Sequence, residues 1–339
     1  MQNIFIAHTP FHVFIAEKMV RDVSLISECK NILLLEMNSD FEHFDSKLWS
    51  EIQFLENLGG TTLGRNRYIM SEKNILTITR LLDCNLITNL YMSDIAWPMN
   101  NRIFFDRILK SKVQYSLFSD GLGTYASPKV TLMLFLRGIG KALNGYLSRG
   151  VRYTNYLGSQ FGLDRNEIRY IYAPKVELID CEEAKKKEIS FDTMKIGNFD
   201  KNKCLFLDTP SWLETNPTDW NLICETALTF LKSLGVTELY YKNHYLGRKN
   251  EELFFKSHGF KIIETSKCAE QIVAENNFGI AVSYLSSSLF NLKCMYNEKI
   301  RCISLFSKTI SLANGHNQNT TNELVRLYND VNVEVVEIV

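Results

Sequence analysis

The sequence predicts an α/β protein of two tandem domains, each a parallel sheet flanked by helices, and three observations predict it. The 339 residues, 45% hydrophobic and 22% charged, exceed one small compact domain and suffice for two cores. Short apolar runs alternate with longer amphipathic stretches, the pattern of parallel strands joined by crossover helices. The alternation breaks once, over the polar stretch 181–203, and then restarts. The predicted organisation is therefore a domain at 1–180, a linker at 181–203 and a domain at 204–339.

In the first domain, apolar runs predict strands at 3–7, 32–35, 86–92 and 113–118. Apolar residues at three- and four-residue spacing predict helices at 46–57, 71–82 and 97–110. In the second, strands are predicted at 204–207, 238–241, 261–263, 279–282 and 301–305, with helices at 220–234 and 287–296 between them. Parallel strands present loops and helix N-termini at their carboxyl ends, so a cleft between two such domains is the expected place for a ligand.

Charge and composition narrow the function. The 38 Lys+Arg balance the 38 Asp+Glu, which leaves no global field to draw the chain to nucleic acid. Aromatic residues at 12%, six Pro and seventeen scattered Gly exclude disorder and fibrous repeats. The N-terminus lacks a basic n-region, and its apolar run is broken by His8, Pro10 and His12, so no secretion signal is read. Apolar stretches such as 131–136 stop far short of the roughly 18 to 20 residues of a bilayer span. Eight Cys are spread singly, as in a reducing cytosol. A cytoplasmic protein is expected.

Three constellations carry chemistry. The first is Ser119-Asp120-Gly121-Leu122-Gly123, directly after an apolar run: an acid on a tight turn, with glycines that leave room for a ligand against the backbone. Its plainer reading is a turn Asp that caps a helix. The same letters match a dinucleotide fingerprint but lack the acid about 20 residues on that the ribose needs. The second is Lys242-Asn243-His244-Tyr245 at a strand end, where His beside Lys can meet a phosphate whose charge grows as a bond breaks. A solvated loop His is the alternative. The third is Ser286-Ser287-Ser288 opening a helix, either an anion site of hydroxyls and free N–H groups or a plain N-cap.

Other chemistries find no signature. There is no D-x-D for a diphosphate-holding metal and no P-loop, H-E-x-x-H or G-x-S-x-G. His8 and His12 have i,i+4 spacing, but Pro10 between them reads as a loop entering a helix rather than two metal ligands on one face.

Taken in order, an acid-Gly turn, a K-x-H loop and a Ser pair opening a helix resemble the motifs of bacterial sialyltransferases, written D/E-D/E-G, H-P and S-S/T. The pattern is most similar to the lipooligosaccharide sialyltransferases of glycosyltransferase family 52, and more distantly to the polysialyltransferases. Ser119 stands where the family usually has its first acid, and Tyr245 where Pro usually follows the His. The resemblance implies a GT-B fold of two Rossmann-like domains facing a cleft. It also implies CMP-sialic acid as donor and a galactose-type hydroxyl of a bacterial surface glycan (lipooligosaccharide, O-antigen or capsule) as acceptor, with an α-2,3 bond. The implied reaction is inverting and needs no metal or other cofactor, because a monophosphate leaving group releases less charge than a diphosphate. Asp120 is the implied base and His244 assists departure of the phosphate. Ser286, Ser287, Ser288, Lys242 and Gly121 line the donor, and Glu264 or Glu270 binds its ribose.

The stretch 127–152 holds Lys129, Arg137, Lys141, Arg149 and Arg152 with no acid, interleaved with Leu132, Phe135, Leu136, Ile139 and Leu143. A basic amphipathic helix of this kind fits an anionic membrane surface, which would suit a lipid-linked acceptor and a peripheral location on the inner face of the cytoplasmic membrane. A packed helix with its cations in solvent is the alternative. Two rival functions stand beside the main one: a GT-B transferase using CMP-Kdo or a nucleoside-diphosphate sugar, and a two-domain binding protein for a small ligand.

Overall fold

The computed structural model describes residues 1–22, 29–37, 41, 43–58, 63–82, 86–126, 128–191, 198–209, 217–244, 249–307 and 318–338; Cys84, Ser127 and Tyr245 lie outside them. The chain forms two compact units, Met1–Ile189 and Ser190–Val339.

The first unit runs β1 (Gln2–Ala7), α1 (Pro10–Arg21), β2 (Lys30–Leu35), β3 (Glu51–Phe54), α2 (Arg65–Leu81), β4 (Thr88–Met92), α3 (Pro98–Phe104), α4 (Arg107–Lys110), β5 (Val113–Phe118), α5 (Leu122–Ala126), α6 (Leu132–Tyr146), β6 (Ile168–Ala173) and β7 (Lys186–Glu188). The strands form one sheet in the order β3-β2-β1-β4-β5-β6-β7, with every neighbouring pair parallel. Strands buried on both faces read as continuous apolar runs, which is why β1 is found where 3–7 was predicted. The winding reverses between β1 and β4, and loops at such a reversal diverge to leave a crevice at the strands' carboxyl ends.

The second unit runs β8 (Asp200–Leu207), α7 (Pro217–Ser233), β9 (Glu238–Lys242), α8 (Lys249–Ser257), β10 (Lys261–Ile262), α9 (Ala269–Asn276), β11 (Phe278–Ser283), α10 (Ser287–Tyr296) and β12 (Arg301–Phe306), then a last helix Gln318–Asp330 and β13 (Glu334–Glu337). Its all-parallel sheet has the order β10-β9-β8-β11-β12-β13, with the reversal between β8 and β11. Phe206, Trp220, Tyr241, Phe255 and Tyr284 pack together in its core. Both units are therefore Rossmann-like.

Three expectations change. The helix expected over 46–57 is a 3₁₀ turn, Ser46–Leu48, followed by the edge strand β3, because Glu51-Ile52-Gln53-Phe54 alternates with period two. The helix expected over 97–110 splits at Asp106, whose carboxylate accepts from the N–H groups of Ile108 and Leu109 and starts α4. The stretch 181–203 is not one linker. Its residues 186–188 form β7 in the first sheet, its polar side chains paired locally as in Lys186–Glu183 at 2.6 Å, and its end belongs to β8.

Candidate active site

In the first unit, four loops at carboxyl ends of strands carry the titratable groups. His8 follows β1, Glu36 follows β2, Asp94 follows β4 and Asp120 follows β5. The chain leaves β1 through Thr9, whose hydroxyl accepts the N–H of His12 at 3.2 Å, and Pro10 begins α1 where no N–H is needed. His12 therefore sits on the first turn of α1. The expected loop-to-helix entry is what the structure shows.

His8 lies with Nδ1 3.1 Å from Glu36 Oε2 and Nε2 2.8 Å from Asn100 Oδ1, its side chain 5% exposed and that of Glu36 1%. Both ring nitrogens face acceptors, so the imidazolium form fits. Burial works against that charge, but contact with Glu36, aided by Asn100 and Asp94, outweighs it and raises the His8 pKa.

His12 is different. Its Nδ1 accepts the backbone N–H of His8 at 3.2 Å, so Nε2 carries the proton and donates to Asp120 Oδ1 at 2.5 Å. The His12 side chain is 3% exposed and that of Asp120 33%, so the carboxylate is the outer member of the pair.

The Asp120 turn is built from both glycines and from Ser119. Gly121 adopts φ +87°, a left-handed conformation that a side chain would strain. A Cβ on Gly123 would come within 2.4 Å of the Phe161 ring. Ser119 is fully buried, and its hydroxyl accepts the N–H of Gly121. Asp94 is committed as well: its carboxylate accepts from the N–H groups of Ala96 and Trp97, both at 2.6 Å, and from the Ser93 hydroxyl at 2.8 Å. Burial and the neighbouring charge of Asp120 push its pKa up. Asp120 is thus the carboxylate in this cluster that is both anchored and open.

In the second unit the corresponding ends carry Asp208 after β8, Asn243-His244 after β9, Glu264 beyond β10 and the Ser cluster after β11. Burial, with the positive charge of Lys242 added to it, lowers the His244 pKa to about 4, so the imidazole is neutral at pH 7. Burial also lowers the pKa of Lys242, whose ammonium among the described residues reaches the carbonyls of Asn243 and Thr265, both at 3.4 Å. Beneath this loop, Asp208 accepts the backbone N–H groups of Thr209 and His244. Burial nevertheless pushes its pKa up to about 7, with a further push from the charge of Glu251.

The Ser cluster divides. Ser286 is the N-cap of α10: its hydroxyl accepts the N–H of Ser288 at 3.3 Å, while its own N–H and carbonyl both bond the Tyr328 hydroxyl at 2.9 Å. Ser287 is exposed and Ser288 half-buried, and their hydroxyls have no partner among the described residues. The two glutamates divide too. Glu270 is 1% exposed and accepts from Asn291 at 2.9 Å, joining α9 to α10, whereas Glu264 is exposed.

Sequence reasoning therefore located Asp120, Lys242, His244 and the open serines at strand ends, while Ser286, Glu270 and Gly121 have structural duties. It passed over His12 as a partner of Asp120, over the His8–Glu36 pair, and over Asp208. Two His flanking Thr9-Pro10-Phe11 just after the first strand were the available signal. Among the described residues, no three His, Cys, Asp or Glu side chains gather to hold a metal ion.

Comparison with known proteins adds to this geometry. The alpha-2,8-polysialyltransferase (POLYST) family matches the chain over residues 3–303. No curated protein matches it in sequence. Among solved structures, the chain is similar to the GT-B domain of a sialyltransferase from Photobacterium damselae, with 11% identity, a TM-score of 0.58 and coverage of 99% of both chains. It is similar to a 2,6-sialyltransferase from Photobacterium sp. JT-ISH-224, determined with CMP and lactose, at 12% identity and a TM-score of 0.56 over 99% of this chain and 78% of that one. A UDP-GlcNAc 2-epimerase from Methanocaldococcus jannaschii follows at 13% identity and 0.51, over 98% and 92%. At such identities the likeness is one of fold, and the fold is GT-B.

Proposed function

Because the chain belongs to the alpha-2,8-polysialyltransferase family and is a glycosyltransferase of the sialyltransferase type, we propose that it moves sialic acid from CMP-sialic acid to a glycan hydroxyl by an inverting, metal-independent displacement. The observation that carries this reading is Asp120: an open carboxylate at a strand end, anchored on one oxygen by a buried His. Asp120 takes the proton of the acceptor hydroxyl, and the oxygen attacks the anomeric carbon as the bond to CMP breaks. The electron pair of that bond goes to the phosphate. His244, Lys242 and the open hydroxyls of Ser287 and Ser288 receive the phosphate charge, and Glu264 is the glutamate free to meet the ribose. Bound phosphate replaces the lost solvation of His244 and Lys242, so both cations become more favourable when the donor is present.

The family description favours an α-2,8 bond onto an acceptor that already ends in sialic acid. The lipooligosaccharide-type motifs favour a second reading, an α-2,3 bond onto galactose. Incubation with CMP-sialic acid, an excess of EDTA and two acceptors, one ending in galactose and one in sialic acid, tests all of this by mass spectrometry and linkage-specific sialidase digestion. Product on the sialylated acceptor supports the α-2,8 reading. Absence of product with either acceptor in EDTA, restored by Mg²⁺ or Mn²⁺, would sink metal independence. Product only with CMP-Kdo or a nucleoside-diphosphate sugar would sink the donor.

The acceptor is further proposed to be lipid-linked and met at an anionic membrane face. Support comes from α6, which lies with Gly138 and Gly145 inward. A Cβ on Gly138 would come within 2.1 Å of Asn155 Oδ1, and one on Gly145 within 2.7 Å of the Arg152 backbone. The opposite face is apolar and exposed, with Leu132 at 74%, Leu136 at 55% and Leu143 at 58%. Arg137, Arg149 and Arg152 lie on or beside this helix, and no acid occurs between Asp120 and Asp164. An ordinary packed helix would turn its leucines the other way. Among the described residues no helix is long and apolar enough to cross a membrane. Co-sedimentation with vesicles of phosphatidylglycerol but not of phosphatidylcholine, lost in Leu136→Asp/Leu143→Asp, is expected; equal recovery of that variant with anionic vesicles would remove this role.

A further inference from the structure

We propose that His12 is the positioning residue of Asp120: its Nε2–H holds Oδ1 and leaves Oδ2 as the oxygen that receives the acceptor's proton. The inference rests on the reading of Asp120 as the base, and it assigns a role to a residue that none of the sialyltransferase-like motifs contains.

The hydrogen bonds of His12 fix what it can do. With Nδ1 occupied by the His8 N–H and Nε2 by Asp120, it has no free lone pair with which to act as a base, and at 3% exposure it does not reach a substrate. What it can do is present one N–H in one direction. The ring is held on three sides: by the His8 backbone, by its place on the first turn of α1, and by the edge-to-face ring of Phe118 at 5.5 Å. The charged groups nearby do not compete for it. The His8 imidazolium is turned to Glu36 and Asn100, and Asp94 is taken up by Ser93, Ala96 and Trp97.

Asp120, in turn, has little else to orient it. Its own N–H goes to the Thr124 hydroxyl at 2.9 Å, which fixes the backbone but not the carboxylate. Ser119, in the place of the family's other acid, is turned into the protein and bonds Gly121. Oδ2 has no partner among the described residues, so the carboxylate has one tethered and one open oxygen. A neutral donor suits this task better than Lys or Arg, because a fixed cation would neutralise the charge that makes the carboxylate basic, whereas an imidazole N–H orients it and leaves that charge in place. Orientation of this kind is pre-organisation, which acts on the chemical step and not on ground-state binding.

The test uses the full chain, CMP-sialic acid and the acceptor that turns over, with His12→Phe, His12→Gln, Asp120→Asn and the double variant His12→Phe/Asp120→Asn. Phe keeps the ring packing against Phe118 and loses the N–H; Gln places a side-chain N–H near the former Nε2 and packs less well. In folded protein, His12→Phe is expected to lower kcat roughly 10- to 100-fold with both KM values within about twofold, and His12→Gln to retain most of kcat. In the Asp120→Asn background, His12→Phe should have little further effect, because a residue that acts through Asp120 has nothing left to position. A wild-type kcat in His12→Phe, the reverse order with Gln more impaired than Phe, or a full additive loss in the double variant would each overturn the assignment. If Asp120→Asn alone keeps a normal kcat, the reading of the base fails, and with it the ground for this inference. If Asp120→Asn is inactive while His12→Phe is not, only the inference fails. Should His12→Phe not fold, the same cycle is run with His12→Leu, which also lacks the N–H, against Asp120→Asn, where additivity overturns the assignment and non-additivity supports it.

Discussion

The two units place polar groups at the same positions, the carboxyl ends of parallel strands beside a reversal of winding, yet prepare them in opposite ways. In the first unit the groups satisfy one another: His8 with Glu36, His12 with Asp120, Asp94 with three donors. In the second, His244 and Lys242 are desolvated cations held toward neutrality, and two hydroxyls stand open. The proposed base must be aimed before substrate arrives, so its partners are built in. The proposed phosphate site must instead be able to gain from the negative charge that a donor brings. The comparison teaches that the first unit's groups are already paired, as the proposed base requires, while the second unit's cations would gain from an anion, as the proposed phosphate site requires.

The largest effect should break the first half of that comparison. Asp120→Asn keeps an acceptor for the His12 N–H but removes the basic oxygen, so the fold should persist while kcat falls about 10²- to 10⁴-fold. Circular dichroism checks the fold and a turnover assay the loss. A near-normal kcat would return Asp120 to the role of a turn residue.

Next is the buried acid beneath the Asn243-His244 loop. The pKa of Asp208 is raised from its usual range to about 7. The folded state thus holds a proton that the unfolded chain has already released between pH 4 and 7. Stability from this group is present at low pH and is lost as pH rises through 7. A shift of about three units corresponds to at most about 4 kcal/mol above pH 7. Asp208→Asn keeps an oxygen to accept the N–H groups of Thr209 and His244 and carries no charge. It should melt higher than the parent at pH 8 and nearly level with it at pH 4. A gain that is equal at both values would mean that the charge of Asp208 is not the cause.

The second unit's deficit of charge is itself measurable. CMP binding should raise the pKa of His244 from about 4 and draw a proton from solution. Calorimetry at pH 6 in buffers of differing ionisation enthalpy should therefore show proton uptake, which His244→Ala removes. No uptake in the parent protein would place the phosphate away from His244.

What the sequence made legible follows the same division. Continuous apolar runs marked most central strands, because a strand buried on both faces has few alternatives. Edge strands β3, β7 and β13 are short and half-polar, and their 4, 3 and 4 residues leave no such run to find. At the site, residues adjacent in sequence were readable: Asp120 beside Gly121, Lys242 beside His244, the Ser cluster. Pairs made by the fold were not, since His12 meets Asp120 across 108 residues. Nor could letters alone separate three serines, because only the path of the chain into α10 decides which hydroxyl caps and which stay open.

The smallest predicted effects test that last separation. Ser286 bonds the N–H of Ser288 as a helix cap, so Ser286→Ala should lower stability by about 1 kcal/mol and change donor KM little. Ser287→Ala/Ser288→Ala removes two hydroxyls that have no partner among the described residues. It should melt like the parent but raise donor KM or lower kcat, since a hydrogen bond to a charged group is worth about 1.5–3 kcal/mol. Thermal melts and donor titrations on the two variants give a crossed pattern if the assignment holds, stability moving in one and donor use in the other. If Ser286→Ala alone carried the loss of donor use, the cap itself would be the phosphate contact. The open pair would then be ordinary surface serines, and the second unit's readiness for an anion would rest on His244 and Lys242 alone.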